Sequence, residues 1–191
     1  KDEQERGVSI KAAPITLLLS TSAAHRSKSH AVNLVDAPGH PAFTDELAAA
    51  LRLADGVLLV VDVVDGLQLG GRLAIRQAAA LGLRVVMALN KLDRLIVELR
   101  LPPADAYHKI RHVIGEVNKA LAEAHTAALA RPPPPHIAPG DGETAARSPL
   151  AGTETPRVCP TDGSVVFCMG LMGVAFALPQ YAHAMLERAS A

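Results

Sequence analysis

Three short runs of mostly apolar residues, each ending in Asp or Asn, constrain the fold of this chain more than any other feature. They are residues 31–36 (AVNLVD), Gly56–Asp62 (GVLLVVD) and Arg84–Asn90 (RVVMALN). Runs without apolar–polar alternation are typical of strands buried on both faces of a parallel sheet. The stretches between them, residues 43–53 and 72–81, carry apolar residues at helical spacing. The order predicts an α/β fold, a doubly wound and mostly parallel sheet flanked by helices, with ligands at the carboxyl ends of the strands.

A hairpin and a long helix are predicted on either side of this core. Residues 15–20 are expected to pair with residues 31–36 around the polar stretch 21–29. Two consecutive prolines, at positions 102 and 103, open a predicted helix over residues 104–123.

The composition changes after the long helix. Residues 131–162 contain RPPPP and many small or polar residues, which predicts a low-complexity, disordered insertion. The insertion separates residues 1–130, predicted to be a partial ligand-binding domain, from residues 163–191. This last part is expected to supply a final strand at 164–168 and a final helix at 179–188 of the same domain.

Charge and hydropathy exclude two classes of function. Nineteen basic and nineteen acidic residues give a formal net charge of zero, which argues against a domain that grips nucleic acid through its phosphates. The longest apolar run, residues 57–64, is interrupted by Asp62 and is far shorter than the roughly 20 residues that span a bilayer. A membrane-spanning protein is therefore not expected.

The tetrapeptide Asn90-Lys91-Leu92-Asp93 directly follows the third apolar run. The Asp93 carboxylate can accept hydrogen bonds from both N1–H and the 2-amino group of guanine. Asn90 can bind the other edge of the base, and the aliphatic stem of Lys91 can lie along the ring. Adenine lacks this donor pair, so the tetrapeptide favours a guanine site. An ordinary polar loop after a strand is the alternative interpretation.

The pentapeptide Asp36-Ala37-Pro38-Gly39-His40 follows the first apolar run in the same way. Asp36 can hold Mg²⁺ through a water molecule, and the N–H of Gly39 can approach a terminal phosphate closely. His40 can orient a hydrolytic water. The alternatives are an acid at a helix N-terminus, a turn glycine and a surface histidine. Two such loops after buried strands favour a nucleotide site.

Ser9, in the segment RGVSI, offers a hydroxyl that can complete the Mg²⁺ shell when a γ-phosphate is present. A solvated polar arm is the alternative for this segment. The phosphate-cradling pattern GxxxxGKS or GxxxxGKT does not occur in the sequence. In this topology that loop is expected to precede Lys1, so we expect the chain to be a fragment truncated at its N-terminus.

Together, the segments DEQERGVSIK, DAPGH and NKLDR resemble switch I, switch II and the guanine-specificity motif of the translational-type GTPase family, in its elongation factor 2 branch. The resemblance covers most of residues 1–121. Two further segments, LRLADGVLLVVD and RLIVELRLPPADAYHKIRHVIGEVN, are most similar to the spliceosomal members of that branch, the GTPase subunits of the U5 small nuclear ribonucleoprotein.

The resemblance implies a P-loop NTPase-like G domain that binds GTP or GDP with Mg²⁺. It implies GTP hydrolysis by the full-length protein, whereas the fragment alone is expected to be inactive. It also implies a nuclear protein that acts in pre-mRNA splicing with a scaffold protein and an RNA helicase of the U5 particle, and that meets RNA mainly through the particle.

The C-terminal segment GSVVFCMGLMGVAF resembles the last strand and the base-contacting loop of the same branch. The usual serine is missing there, so the backbone N–H groups of Gly170 and Leu171 are expected to contact the base. Ser9 stands where ribosomal factors carry Thr, and Pro41 and Ala42 replace the residues usual after the switch II histidine.

Two other functions stay open at this point. One is a ribosome-associated GTPase of the cytoplasm, either elongation factor 2 or a ribosome-maturation relative. The other is a non-catalytic interaction module that has lost its phosphate-binding loop.

Overall fold

The computed structural model describes residues 2–23, 26–130 and 155–190. The chain divides into two units, Lys1–Ala54 and Asp55–Ala191, and each contains its own sheet. In these described ranges, no helix combines the length and the apolar character needed to cross a membrane.

The first unit is built around an antiparallel hairpin of β1 (Ala13–Ala23) and β2 (Arg26–Asp36). The predicted pairing of residues 15–20 with residues 31–36 is confirmed. The predicted loop at 21–29 is wrong, because the described part of that stretch continues both strands. Backbone groups form the hydrogen bonds between two β-strands, so polar residues can continue the strands as well as apolar ones.

Residues 31–36 do not show the predicted burial on both faces. Their ladder within the described chain is the antiparallel one with β1, and Leu34 and Val35 are 41% and 39% exposed. An antiparallel partner that is close in sequence closes a short loop, which costs less entropy than the long crossover a parallel partner requires.

Two helices flank the hairpin in sequence, α1 (Asp2–Arg6) and α2 (Thr44–Leu53). The second confirms the helix predicted at 43–53. Glu46 lies in the first turn of α2, where the helix dipole favours acids, and its Oε2 accepts a hydrogen bond from the N–H of Ala12 at 3.3 Å. This contact fixes the start of the hairpin to α2.

The second unit contains a four-stranded sheet in which parallel pairs predominate. Its strands, in spatial order, are β3 (Gly56–Asp62), β4 (Arg84–Asn90), β5 (Val165–Met169) and β6 (Val174–Ala177). The pairs β3–β4 and β4–β5 are parallel, as predicted, and β5–β6 is antiparallel. The sequence analysis did not find β6, because four residues are too short for a periodic pattern.

Burial alternates along β3, contrary to the prediction of two buried faces. Leu59 and Val61 are buried, whereas Leu58 and Val60 are 58% and 60% exposed. Helix α3 (Leu69–Leu81) packs against β3 and β4 on the side of Leu59. A run of apolar residues in the sequence predicts a strand, but it does not show whether other elements cover one face of that strand or both.

Helices α3 and α5 (Pro103–Leu129) pack against each other and complete the core of the second unit. The α5 helix confirms the one predicted at 104–123, with one further turn and more at its C-terminal end. Two further helices are α4 (Asp93–Val97) and α6 (Leu178–Ser190), of which the second was predicted at 179–188. The core side chains include Ile75, Met87, Leu89, Val113, Val117, Leu121 and Val165.

Part of the predicted insertion packs against α5. Residues 131–154 lie outside the described residues. Val158 is only 1% exposed, and the side chain of Asn118 binds both its N–H, at 2.8 Å, and its carbonyl oxygen, at 3.0 Å. Val158 therefore packs in the second unit, although it lies before residue 162, where the predicted insertion ends. Two hydrogen bonds to one side chain and one buried apolar residue are enough to hold a segment of polar composition.

Candidate functional site

The carboxyl ends of β3 and β4 place two polar side chains level with each other. Asp62 and Asn90 are register partners, and the N–H of Val63 donates to the carbonyl oxygen of Asn90 at 3.0 Å. The strand β5 lies on the other side of β4, and the 3-10 turn Gly170–Met172 follows it. The loops after β4 and β5 therefore start from the same edge of the sheet.

The side chain of Asn90 joins these two loops. Its Oδ1 accepts hydrogen bonds from the N–H of Lys91 at 2.8 Å and from the N–H of Gly170 at 3.1 Å. The N–H of Leu92 adds a bond to the carbonyl of Cys168 at 3.3 Å. The amide oxygen of Asn90 is thus used inside the protein, and its Nδ2 donor is the group left for a ligand.

Asp93 carries a buried acceptor without a partner. Its Oδ1 is buried, and no residue in the described part of the chain donates a hydrogen bond to it. Leaving such an atom unpaired costs about 1–3 kcal/mol, so an unpaired acceptor of this kind needs an explanation such as an absent ligand. A ligand that brings N–H donors to Asp93 would remove this cost.

Lys91 adopts a backbone conformation that residues with a Cβ atom rarely take. Its φ is 61°, in the left-handed region, and Arg100 is the other described non-glycine residue with positive φ. The ammonium group of Lys91 binds Oδ2 of Asp62 at 3.0 Å. Strained backbone of this kind tends to occur at functional sites.

Asp62 is the electrostatic centre of this edge. Its Oδ2 also binds Nη1 of Arg94 at 2.8 Å, and its side chain is 14% exposed. Burial raises the pKa of the Asp62 carboxyl, but hydrogen bonds from the N–H of Val64 and from the Lys91 ammonium outweigh it and hold the pKa below its ordinary value. The sequence analysis missed Asp62 and Arg94 as site residues. The signal was present, because Asp62 ends the strand beside the one that ends in Asn90.

Gly170 lies so close to Asn90 that a side chain there would crowd it. A Cβ atom on Gly170 would be 3.3 Å from Oδ1 of Asn90 and 3.4 Å from its Nδ2. The next residue, Leu171, is 92% exposed. The structure therefore brings together four predicted residues, Asn90, Lys91, Asp93 and Gly170, and leaves the side chain of Leu171 open to solvent beside them.

The predicted phosphate-side residues lie in the first unit, in the loop after β2. Asp36 ends β2 and is exposed, and Pro38 is buried. A Cβ atom on Gly39 would meet no described atom within 4 Å, and its φ is not in the left-handed region. Among the described residues, neither a positive φ nor local packing requires glycine at this position, and the approach of its N–H to a phosphate stays a prediction.

The ring of His40 caps the 3-10 turn Pro41–Phe43. Its Nδ1 accepts a hydrogen bond from the N–H of Ala42 at 3.1 Å. An accepting Nδ1 assigns the ring proton to Nε2 in the neutral imidazole. In this state His40 can donate a hydrogen bond from Nε2 to a water molecule, while Nδ1 is occupied.

Ser9 follows α1 in a half-buried segment that Glu3 organises. Oε1 of Glu3 accepts hydrogen bonds from the N–H of Ile10 at 2.7 Å and from that of Lys11 at 3.1 Å. These two backbone bonds lower the pKa of the Glu3 carboxyl. The sequence analysis did not identify this contact, which fixes the chain just beyond Ser9.

A metal ion would have few protein ligands among the residues that the structure describes. Across the described ranges, no group of three or more His, Cys, Asp or Glu side chains is suited to a metal. Mg²⁺ takes few protein carboxylates and keeps water and phosphate oxygens as its other ligands. The predicted donors, the Ser9 hydroxyl and the Asp36 carboxylate, are hard oxygen ligands of the kind that Mg²⁺ prefers.

Comparison with known families decides the relationship. The family described as Elongation factor Tu GTP binding domain matches residues 1–186. The chain belongs to this family. The predicted membership of the translational-type GTPases is thereby confirmed, as is the α/β fold with a mostly parallel sheet flanked by helices.

Curated relatives of this GTP-binding domain include components of a splicing particle. The chain is 42% identical over 181 residues to the 110 kDa U5 small nuclear ribonucleoprotein component CLO of Arabidopsis thaliana, and 39% identical over 182 residues to the 109 kDa component GFL of the same plant. It is 37% identical over 186 residues to the pre-mRNA-splicing factor cwf10 of Schizosaccharomyces pombe. These matches cover 95–97% of this chain and 16% of each relative. The chain thus spans about one sixth of the length of these relatives, whose names confirm the predicted similarity to spliceosomal members.

Proposed function

We propose that this chain is the nucleotide-binding part of a GTPase that acts in pre-mRNA splicing. The observation that carries the nucleotide half is the buried, unpaired Oδ1 of Asp93. Guanine presents two adjacent donors, N1–H and the 2-amino group, and a carboxylate accepts such a pair in parallel. Adenine would bring only one suitable donor, so the base selected is guanine.

The rest of the base-binding loop has a role for each side chain. Asn90 donates from Nδ2 to an acceptor on the opposite edge of the guanine, since its oxygen is already bonded to Lys91 and Gly170. The stem of Lys91 covers the ring. The backbone N–H of Leu171 donates to the base, while its exposed side chain gives further apolar cover.

In this proposal, the phosphate and metal contacts come from the residues predicted for them in the sequence. Ser9 and Asp36 would hold Mg²⁺, which would neutralise charge on the phosphates of GTP. Gly39 donates its N–H to the terminal phosphate. His40 donates Nε2–H to the oxygen of the attacking water and thereby orients it. Support for this role comes from its accepting Nδ1, which leaves Nε2 with the proton.

The splicing half of the proposal is supported by the names of the relatives, which are a pre-mRNA-splicing factor and components of the U5 particle. The full-length protein would act in the nucleus with a scaffold protein and an RNA helicase of that particle. A formal net charge of zero over this chain supports contact with RNA through other subunits rather than through this domain.

Two measurements on the full-length protein test the proposed guanine nucleotide binding and the proposed role in splicing. In the first, GTP, GDP and ATP compete with a fluorescent GDP, and we expect ATP to bind about 100-fold more weakly or worse, because a site built for hydrogen bonds rejects a base that leaves them unmade. Folded protein that binds no guanine nucleotide would support a non-catalytic interaction module instead.

In the second, the tagged protein is purified from its own cells and the RNA that accompanies it is sequenced. We expect U5 small nuclear RNA to be enriched. Enrichment of ribosomal RNA alone would support a cytoplasmic, ribosome-associated GTPase and would overturn the splicing assignment.

A further inference from the structure

We propose that Asp62 is a positioning residue for base recognition, because it holds two cations that would otherwise be free to pair with Asp93. The inference rests on the proposed function, since it assumes that a guanine base binds Asp93. It gives a role in specificity to a side chain that lies on a different strand from residues 90–93.

Two cationic residues lie close to Asp93 in the sequence. Lys91 lies two residues before Asp93 and Arg94 directly after it. Long, flexible cationic side chains this close in sequence could reach a carboxylate if no other acid held them. Oδ1 of Asp93 is nevertheless buried and without a donor in the described part of the chain, and both cations bind Oδ2 of Asp62 instead, at 3.0 Å and 2.8 Å.

The carboxylate of Asp62 is fixed by its own turn. Its Oδ1 accepts hydrogen bonds from the N–H of Val64 at 2.8 Å and, more weakly, from the N–H of Asp65 at 3.4 Å. The N–H of Gly66 closes the same turn onto the carbonyl of Asp62 at 2.9 Å. Oδ2 is therefore presented in one direction, toward the loop after β4.

The grip on Lys91 also fixes its unusual backbone. The N–H of Lys91 donates to Asn90, its carbonyl accepts from the N–H of Arg94 at 3.0 Å, and its ammonium binds Asp62. When the ammonium group of a lysine binds a carboxylate, its aliphatic stem is held in one conformation, whereas an unbound lysine side chain samples many rotamers. The stem that covers the base is thus held by Asp62.

The hold on Arg94 is shared with a more exposed acid. Nε of Arg94 binds Oε2 of Glu98 at 2.7 Å, and the Glu98 side chain is 54% exposed, compared with 14% for Asp62. Among the described residues, the Glu98 side chain forms no ion pair or hydrogen bond with Lys91 or with the turn at 62–66. Glu98→Gln is therefore a matched control, because it removes a carboxylate from the same arginine.

The test measures binding of GDP and of inosine diphosphate, which lacks the 2-amino group, to the full-length protein. We expect Asp62→Asn to weaken GDP binding about 10-fold and to lower the preference for GDP over inosine diphosphate about 3-fold, since a cation on Asp93 competes with the base donors. Glu98→Gln is expected to change both quantities less than about 2-fold. A purely structural role for Asp62 would lower the folded fraction without changing the preference.

A second variant covers the case in which Asp62→Asn does not fold. Asp62→Ser keeps an acceptor for the turn and removes the charge, and it is expected to lower the preference for GDP in the same way. If the wild-type protein prefers GDP and both folded variants keep that preference, the role of Asp62 is overturned and the proposed function stands. If the wild-type protein shows no preference for GDP, the proposed function fails and the inference fails with it.

Discussion

The Oδ1 atom of Asn90 accepts a hydrogen bond from the backbone N–H of Gly170, 3.1 Å away, and so links two loops that are 80 residues apart in sequence. The same oxygen binds the N–H of Lys91. One side chain therefore fixes the loop that is proposed to read the base relative to the loop that is proposed to cover it. A Cβ atom at position 170 would lie 3.3 Å from this oxygen, so a side chain there would push Asn90 aside by a few tenths of an ångström.

Gly170→Ala is expected to weaken guanine nucleotide binding roughly 3- to 10-fold in the full-length protein, because the new Cβ forces the Asn90 side chain away and breaks a hydrogen bond. Equilibrium titration with fluorescent GDP measures it. The control is Gly115→Ala in α5, where a Cβ atom meets no described atom within 4 Å. Equal GDP affinities for Gly170→Ala and the wild type would show that the link has no part in binding.

His40→Ala is expected to leave nucleotide affinity nearly unchanged and to slow GTP hydrolysis by about 100-fold or more, as for a group that positions water. Single-turnover hydrolysis by the full-length protein measures the rate. His112→Ala changes an exposed histidine of α5 and serves as the control. An unaltered rate in His40→Ala would mean that this histidine only caps the turn at Pro41–Phe43.

The sequence could predict which strands carry the loop that is proposed to bind the base. The runs Gly56–Asp62 and Arg84–Asn90 were identified as parallel strands, and polar residues at their ends lie at one edge, as expected. The pattern could not predict the exposure of Leu58 and Val60, because the number of covering layers depends on helices that are distant in sequence.

The sequence also could not predict which residues form ion pairs in the candidate site. Asp62 binds Arg94 across 32 residues, a separation that predicts no pairing, whereas the i,i+4 spacing of Arg94 and Glu98 does. Its partners depend on the turn that directs one carboxylate oxygen toward the next loop. Val158 was missed for a similar reason, since its anchor is a single amide on a helix 40 residues earlier.

Asn118→Ala is expected to lower the free energy of unfolding by about 1–3 kcal/mol, because it leaves the buried backbone of Val158 without its two hydrogen bonds. Urea denaturation measures this loss. Lys119→Ala, which removes only a well-exposed side chain with one long ion pair to Glu123, is the control and should cost less than about 0.5 kcal/mol. Similar losses in both variants would rule out a specific anchor at Asn118.

Acid should destabilise the wild-type protein partly through Asp62. The Val64 N–H and the Lys91 ammonium lower the pKa of Asp62 in the folded state. The contribution of Asp62 to the free energy of unfolding is therefore complete above the pKa of an unfolded aspartate, about 3.9, and is lost as the pH falls through the lower pKa of the folded state. Urea denaturation between about pH 2.5 and pH 7 measures it. We expect a shallower loss below about pH 4 in Asp62→Asn than in the wild type. Parallel pH curves would contradict the electrostatic role given to Asp62.

The central claim is that Asp93 reads guanine, and the Asp93→Asn variant tests it most directly. The amide keeps one acceptor and adds a donor that opposes the 2-amino group of guanine, so GTP binding should weaken by about 1–3 kcal/mol or more. Xanthine carries an oxygen at that position and should gain affinity. The measurement is competitive binding of GTP and xanthosine triphosphate to the full-length wild type and variant. The account predicts a preference that moves from guanine toward xanthine, and an unchanged preference would contradict it.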